Sequence, residues 1–284
     1  MKASIARRSA AGLVALTNCF LGATVFAQTA AVALTRLECG SDTPNALPMF
    51  SDTFAHQDGA VPITYSCYLI QHGADYMLWN AGNSADTESF GAPKIGLLAL
   101  LAQLNVKPEQ VKYLAVSHWH LDHIGQAGSF PRSTLLIGMG DWELVTGVHP
   151  PDGPAFLASL VAPSRAMLAP WVAKSSRVEP VTGDKDVFGD GSVVMLNTMG
   201  HTPGHYALLV RLKGMGNVLL SGDLAHFREN YEGNGVPIHN SNRADTLASL
   251  ERFKQIAKNL QAIVIIEHDP RDVGKLPTFP IAAR

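Results

Sequence analysis

Four apolar segments of this chain each run directly into histidine or aspartate residues. The segments are 114–116, 194–196, 218–220 and 263–266, and they are followed by His118, His120, Asp122, His123, His201, Asp223 and His268. Open α/β sheets gather the carboxyl ends of their strands at one edge, so a fold that buries these segments also brings the seven side chains into one cleft. Burial of so many ionisable groups without a partner would cost several kcal/mol for each group. The pattern therefore predicts a metal site.

The nitrogen-rich part of this set indicates the kind of metal. His118, His120 and His201 would present three imidazole nitrogens, which is the open arrangement of a catalytic zinc ion. Imidazole suits zinc, while mixed sets of carboxylate and imidazole also accept iron, manganese or cobalt. We therefore expect zinc and leave other divalent metals open.

The remaining ligands predict a second ion. Asp122, His123 and His268 would hold it, and the two carboxylate oxygens of Asp223 would bridge both ions. Two cations about 3.5–4 Å apart hold a water between them and lower its pKa toward neutrality. This arrangement predicts a bridging hydroxide nucleophile and therefore a hydrolase.

The distribution of apolar residues predicts one α/β or α+β domain, because helices alternate with many short strands. The predicted strands are 61–70, 76–79, 111–116, 135–138, 193–197, 206–210, 218–220 and 262–266, and the predicted helices are 94–104 and 244–260. The segment 139–187 is apolar, rich in proline and poorly periodic. It is expected to be either a lid or binding loop or a helical hairpin packed on the core.

The first residues predict export. Three basic residues precede the apolar segment 10–26, and Val25 and Ala27 occupy the small-residue positions of a cleavage site. We expect a signal peptide over 1–27 and a mature domain over 28–284, located in the periplasm or secreted, with no membrane association after cleavage. The formal net charge of −2 offers no basic excess, which argues against a general nucleic-acid partner.

Two cysteines, Cys39 and Cys67, remain after such a cleavage. Export would permit a disulfide between them. Buried free cysteine is common, however, and the favoured interpretation is two small buried thiols on strands.

The motif His-x-His-x-Asp-His at 118–123, together with His201, Asp223 and His268, resembles the metallo-β-lactamase fold superfamily. That resemblance implies an αββα sandwich with a two-metal site at the sheet edge. Within the superfamily the chain is most similar to the N-acyl-homoserine lactonases. The stretches that carry this second resemblance are 37–40, 67–70, 222–224, Ser249 and 267–270.

The resemblance to the lactonases implies a zinc hydrolase that opens the ester ring of a small-molecule lactone. We expect Asp122 or His226 to assist catalysis, and the open alternative is that His226 marks a different substrate. The lactonases have a tyrosine where this chain has His226, and Tyr231 lies nearby as a substitute. The superfamily usually carries aspartate where this chain has Asn80, which supplies no charge. Dimerisation is common among similar enzymes, so a homodimer is among the expected assemblies. We expect the acyl chain to contact Trp119, Trp142, Phe156, Leu160, Trp171 and Phe227.

Alternatives remain open at this point. The same fold handles β-lactams, aryl esters and phosphotriesters, although the lactamases lack a carboxylate at the position of Asp223. A metal-binding scaffold without activity is a further alternative. Among the other histidines, His205 is expected to support the site without binding metal. We expect surface or loop positions for His56, His72, His149 and His239.

Overall fold

The computed structural model describes residues 30–44, 47–54, 59–86, 91–149 and 155–284. The predicted signal peptide and His56 lie outside these residues. Within them, no helix is both long and apolar enough to cross a membrane.

The first sheet has six strands and contains the long N-terminal strand. Its strands pair in chain order, with antiparallel pairing among the first three and parallel pairing among the last four. The strands are β1 (Val32–Asp42), β2 (Ile63–His72), β3 (Asp75–Trp79), β4 (Val111–Ala115), β5 (Thr134–Gly138) and β6 (Val178–Val181).

The second sheet has five strands in the order β11-β10-β9-β8-β7. Only β10 and β11 are parallel, because helix α7 connects them, whereas the other neighbouring strands are antiparallel. The strands are β7 (Lys185–Asp186), β8 (Val193–Asn197), β9 (Tyr206–Leu212), β10 (Gly216–Leu220) and β11 (Ile263–Ile265).

In the part of the chain that the structure describes, seven α-helices cover the sheets. They are α1 (Leu97–Gln103), α2 (Leu121–Ile124), α3 (Met139–Thr146), α4 (Phe156–Met167), α5 (Ala169–Val172), α6 (Arg228–Gly233) and α7 (Arg243–Asn259). Residues 139–172 of the loosely patterned segment are therefore largely helical, and β6 and β7 follow them. Of the two expectations for this segment, the helical hairpin describes these residues better than an irregular loop. Residues 150–154 lie outside the described residues.

Three apolar layers hold the elements together. Leu136 of β5 and Leu208 of β9 belong to the layer between the two sheets. The outer face of the first sheet packs on helices α1 to α5, with Leu101 and Leu144 in that layer. The outer face of the second sheet packs on α7 through Phe253. The order helix, sheet, sheet, helix confirms the predicted αββα sandwich.

Strand β1 was not predicted from the sequence. Only its residues 35–39 alternate between buried and partly exposed positions, and the partly exposed ones, Arg36 and Glu38, interrupt its apolar pattern. The structure shows why a charge is tolerated there. The Arg36 guanidinium donates to the hydroxyls of Ser66 at 2.9 Å and Thr64 at 2.8 Å on the neighbouring strand β2.

The interpretation of Cys39 and Cys67 as free thiols is wrong, because the two residues form a disulfide with Cα atoms 5.8 Å apart. Both are buried on strands, as expected. They are 28 residues apart in the chain, and only the antiparallel pairing of β1 with β2 brings them together. Because β1 was missed, this pairing could not be foreseen.

Candidate metal centre

The ligand-type residues lie in loops that follow strands of both sheets. His118 and His120 follow β4, and helix α2 begins directly after His120, which places Asp122 and His123 in its single turn. His201, Asp223 and His268 follow β8, β10 and β11.

The structure brings all seven residues into two adjoining groups that share Asp223. Within each group, the candidate ligand atoms lie within 4.8 Å of one another. The first group consists of His118, His120, His201 and Asp223, and the second of Asp122, His123, His268 and Asp223.

Asp223 lies between the groups and turns one carboxylate oxygen toward each. Its Oδ2 atom is 3.4 Å from His201 Nε2 and 3.7 Å from His118 Nε2. Its Oδ1 atom is 2.9 Å from His268 Nε2 and 3.0 Å from His123 Nε2. This is the arrangement that a carboxylate needs in order to bridge two cations.

Several imidazole nitrogens of the site indicate what it holds. The Nε2 atoms of His118 and His120 are buried and have no hydrogen-bond partner among the described residues. A buried polar atom without a partner costs about 1–3 kcal/mol. Unpartnered nitrogens that converge with two carboxylates form a ligand set suited to zinc and similar divalent cations. The residues therefore fit a pair of divalent cations.

The second nitrogen of several ligands is held by its neighbours. His268 Nδ1 donates to the carbonyl oxygen of Thr64 at 2.9 Å. The Ser117 hydroxyl lies 3.1 Å from His118 Nδ1 and 3.0 Å from His123 Nδ1. Such contacts fix the orientation of a ligand ring and select which nitrogen faces the metal.

Protonation differs between the two groups. Burial lowers the pKa of His118 and His201 well below the usual range and that of His120 to about 4. Burial also acts on His123 and His268, but the negative charges of Asp223 and Asp122 outweigh it and raise both pKa values. In the absence of metal, His123 and His268 of the second group therefore keep a proton to higher pH than the histidines of the first group.

A cavity of about 400 Å³ opens onto both groups. Phe156 and Leu160, two of the predicted substrate contacts, line it, as does His226, whose Nε2 atom is 3.1 Å from Asp223 Oδ2. The other lining residues are Phe50, Ile63, Tyr65, Asn83, Ser84, His120, Leu121, Asp122, Leu157, Met167, Asp223, His239 and His268.

Four of the predicted substrate contacts do not line this cavity. Trp119 and Trp171 are fully buried in the layer beneath the helices, where Trp171 Nε1 donates to the carbonyl of Ser133, and Trp142 packs against the same layer. Phe227 is buried beside Phe50, Ile63 and Tyr65. The sequence marks these side chains as apolar but does not show which face of each element meets the cavity. Tyr231, the suggested substitute for His226, packs against Phe253 of α7 instead.

His239 is a site residue that sequence reasoning missed. It was expected at a surface or loop position and does lie in a loop, but it also lines the cavity, and its ring lies 5.3 Å from that of His226. No motif surrounds it, so the sequence offered no signal. His205 supports the site by accepting the backbone N–H of Asp223, whereas His72 pairs with Asp190 and His149 lies at the surface.

Comparison with known proteins decides the family. The family model of the Metallo-beta-lactamase superfamily matches residues 61–263, which is most of the chain. The chain belongs to the metallo-beta-lactamase superfamily. This member of the superfamily is a metal-dependent hydrolase, and its two candidate cation groups lie within or just beyond the matched region.

Among characterised proteins, this superfamily member is similar to N-acyl homoserine lactonases. The lactonase AttM of Azorhizobium caulinodans is 29% identical over 232 residues, which cover 75% of this chain and 84% of that protein. AttM of Rhizobium radiobacter is 30% identical over 191 residues, covering 65% and 69% respectively.

Solved structures share the fold. A quorum-quenching N-acyl homoserine lactone hydrolase superposes with a TM-score of 0.73 at 21% identity, covering 90% of this chain and 99% of that one. AidC, described as a dizinc quorum-quenching lactonase, superposes with a TM-score of 0.67 at 16% identity, covering 90% of both chains.

Proposed function

We propose that this chain hydrolyses the ester ring of N-acyl-homoserine lactones at a pair of zinc ions. The observation that carries the proposal is the cavity, which joins the two cation groups to an apolar wall formed by Phe156, Leu157 and Leu160. A substrate with a polar ester ring and an apolar acyl chain matches both parts. The similarity to the AttM lactonases and to a dizinc lactonase supports this substrate and this metal.

The bound cations would polarise the ester carbonyl and lower the pKa of a water molecule toward neutrality. Around them the chain supplies proton-handling groups. Asp122 lines the cavity and belongs to the second cation group, so its carboxylate is placed to accept the proton of the attacking water.

His226 is the second group that faces the reacting ester. Its ring is stacked on that of His268, with 5.2 Å between the ring centroids, and its Nε2 atom faces the shared carboxylate. This position allows it to donate a hydrogen bond to the carbonyl or to the leaving ring oxygen. The water oxygen bonds to the carbonyl carbon, the ring C–O bond breaks, and the leaving oxygen takes up a proton to become a hydroxyl.

A substrate panel tests this proposal. Purified, zinc-loaded protein is expected to release acid from an N-acyl-homoserine lactone in a pH-stat, and faster than it turns over a β-lactam, an aryl ester or a phosphotriester. H118A is expected to lose at least about 100-fold in rate, since even residues that only support metal ligands contribute about 10–100-fold. H149A, a change at an exposed histidine, serves as the matched control.

Either of two results would contradict the proposal. One is equal lactone turnover by H118A and wild type, which would exclude the metal site as the source of the activity. The other is a clear preference for a β-lactam or phosphotriester, which would assign the same site to a different substrate.

We also propose that the chain is exported. The leader pattern over 1–27 supports this, and so does the Cys39–Cys67 disulfide, since disulfides persist mainly in oxidising compartments. Mass spectrometry of the protein from fractionated cells is expected to find an N-terminus at Gln28 in the periplasm or medium. An intact Met1 on protein in the cytosol would contradict it.

A further inference from the structure

We propose that Glu267 is a positioning residue that ties three ligand-bearing loops of the metal centre together, with Asn80 as its matched partner. The inference concerns how the centre is built and is independent of which ester the chain hydrolyses.

Glu267 is a buried carboxylate, only 1% exposed, that three donors surround. Its Oε1 atom accepts the indole N–H of Trp79 at 3.0 Å and the backbone N–H of Gly222 at 2.9 Å. Its Oε2 atom accepts the side-chain amide N–H of Asn80 at 3.0 Å. A carboxylate with this many donors is held in one orientation.

The position and the contacts of Glu267 connect three parts of the metal centre. Gly222 directly precedes the shared ligand Asp223, and Glu267 itself directly precedes His268. The third link runs through Asn80, which follows β3 on the other sheet. The carboxylate therefore joins loops from both sheets at the point where they supply ligands.

Asn80 carries this link to the His-x-His-x-Asp-His segment. Its Oδ1 atom accepts the backbone N–H of Ser117 at 2.8 Å, next to His118. The following residue, Ala81, donates its backbone N–H to the carbonyl of His123 at 2.7 Å. Asn80 has a φ of 61°, a left-handed conformation that asparagine tolerates better than most residues.

The two contacts of Asn80 explain why an amide stands there. The side-chain oxygen of Asn80 accepts the backbone N–H of Ser117. The side-chain nitrogen on the other side of the amide faces Glu267 and donates to it. An aspartate at position 80 would instead set a second carboxylate about 3 Å from Glu267, and buried like charges repel strongly. Asn80 thus leaves the turn after β3 without a negative charge. Glu267, which follows β11 of the other sheet and directly precedes the ligand His268, supplies that charge.

Exchange of the Glu267 carboxylate and the Asn80 amide tests this pairing. In E267Q a glutamine amide faces the Asn80 amide, so either two donors meet or the Ser117 contact is lost. In N80D two carboxylates meet. In the double variant N80D/E267Q the glutamine donates to the new carboxylate, which still accepts from Ser117, so every donor again has an acceptor.

The readout is metal affinity, measured by Co²⁺ titration against a competing chelator and by the visible spectrum of the Co²⁺ protein. E267Q and N80D are each expected to bind Co²⁺ about 10–100-fold more weakly than wild type. N80D/E267Q is expected to recover most of that loss and the wild-type spectrum. K112Q, a change at an exposed lysine paired with Asp75, is the control and is expected to match wild type.

Wild-type affinity in E267Q would overturn the positioning role of Glu267. A double variant that binds no better than E267Q would overturn the pairing with Asn80. If a single variant fails to fold, W79F removes one donor and keeps both Glu267 and Asn80, and affinity within threefold of wild type in both W79F and the double variant would support the proposal. Loss of lactone hydrolysis with unchanged Co²⁺ binding would bear on the substrate proposal and not on this one.

Discussion

His205 lies directly behind Asp223 and accepts the backbone N–H of that residue through Nε2 at 2.9 Å. On the other side of the ring, Nδ1 is 3.0 Å from the carbonyl oxygen of Thr198. A carbonyl can only accept, so Nδ1 carries the proton and Nε2 is free to accept. Burial lowers the pKa of His205 to about 4, which keeps the ring neutral. The residue that both cation groups share is thus oriented by a histidine that binds no metal.

Replacement of this acceptor is expected to weaken the metal centre. H205F leaves the backbone N–H of Asp223 buried and unpaired, which costs about 1–3 kcal/mol of unfolding free energy. Affinity for zinc is expected to fall about 10–100-fold, as it does when supporting contacts of ligands are removed. H72F, which removes an imidazole stacked on Phe188 at the edge of the fold, is the control. Equal zinc affinity in H205F and wild type would contradict this role.

Asp141 connects two ligand loops and makes stability depend on pH. Its carboxylate accepts from Trp119 N–H, the Thr202 hydroxyl and Gly204 N–H, yet burial outweighs these contacts and raises its pKa to about 7. Its pKa in the unfolded chain is about 3.9, so the folded state binds the extra proton between about pH 4 and 7. Stability contributed by this group therefore falls as pH rises through that window.

The comparison with D141N isolates this effect. The unfolding free energy of wild type minus that of D141N is expected to decrease from pH 4 to pH 7, by at most about 1.4 kcal/mol per pH unit. Urea unfolding of both metal-free proteins at several pH values measures the difference. A difference that stays constant or increases over this range would contradict the raised pKa.

Metal binding is expected to release protons from the second group. Asp223 and Asp122 raise the pKa values of His123 and His268, so a cation must displace protons from these rings near neutral pH. Zinc affinity should therefore increase with pH until these pKa values are passed. Calorimetric titration in buffers of different ionisation enthalpy counts the protons. D122N should release fewer of them, and a titration without proton release at pH 6 would refute the assignment.

The cavity wall is expected to set acyl-chain preference. L160W places a larger ring on the α4 face that lines the cavity, and overpacking of this kind costs about 1–3 kcal/mol. For a decanoyl-homoserine lactone, kcat/KM should fall roughly tenfold or more, and for a butanoyl substrate it should change little. L98W, on the exposed face of α1, is the matched control. An equal loss for both substrates would place the acyl chain elsewhere.

The disulfide is expected to stabilise the mature protein. For the 28-residue separation of Cys39 and Cys67, a chain-entropy argument predicts about 3–4 kcal/mol. C39S/C67S should therefore unfold at a lower temperature than wild type, and a reducing agent should lower the Tm of wild type only. A Tm that does not differ between the two under oxidising conditions would contradict this stabilisation.

Much of the centre followed from local sequence. Apolar strands that are followed by histidine or aspartate can be recognised in the sequence, because a buried strand and the ligand after it are neighbours in the chain. The αββα fold followed from the same motifs through their resemblance to a known superfamily. Amphipathic helix α7 was also predictable, since Leu250 and Phe253 recur at helical spacing.

Tertiary structure decided what depends on distant pairing. The partnership of Glu267 with Asn80 spans 187 residues, and no local pattern shows that these two residues meet. The disulfide required β1, whose charged residues hid its strand character. His239 entered the cavity from a loop, and Trp171 turned away from it into the core. In each case the sequence determined the chemistry that a side chain can offer. Packing between separate elements determined which neighbours each side chain contacts, because those contacts depend on the free energy of the whole assembled core.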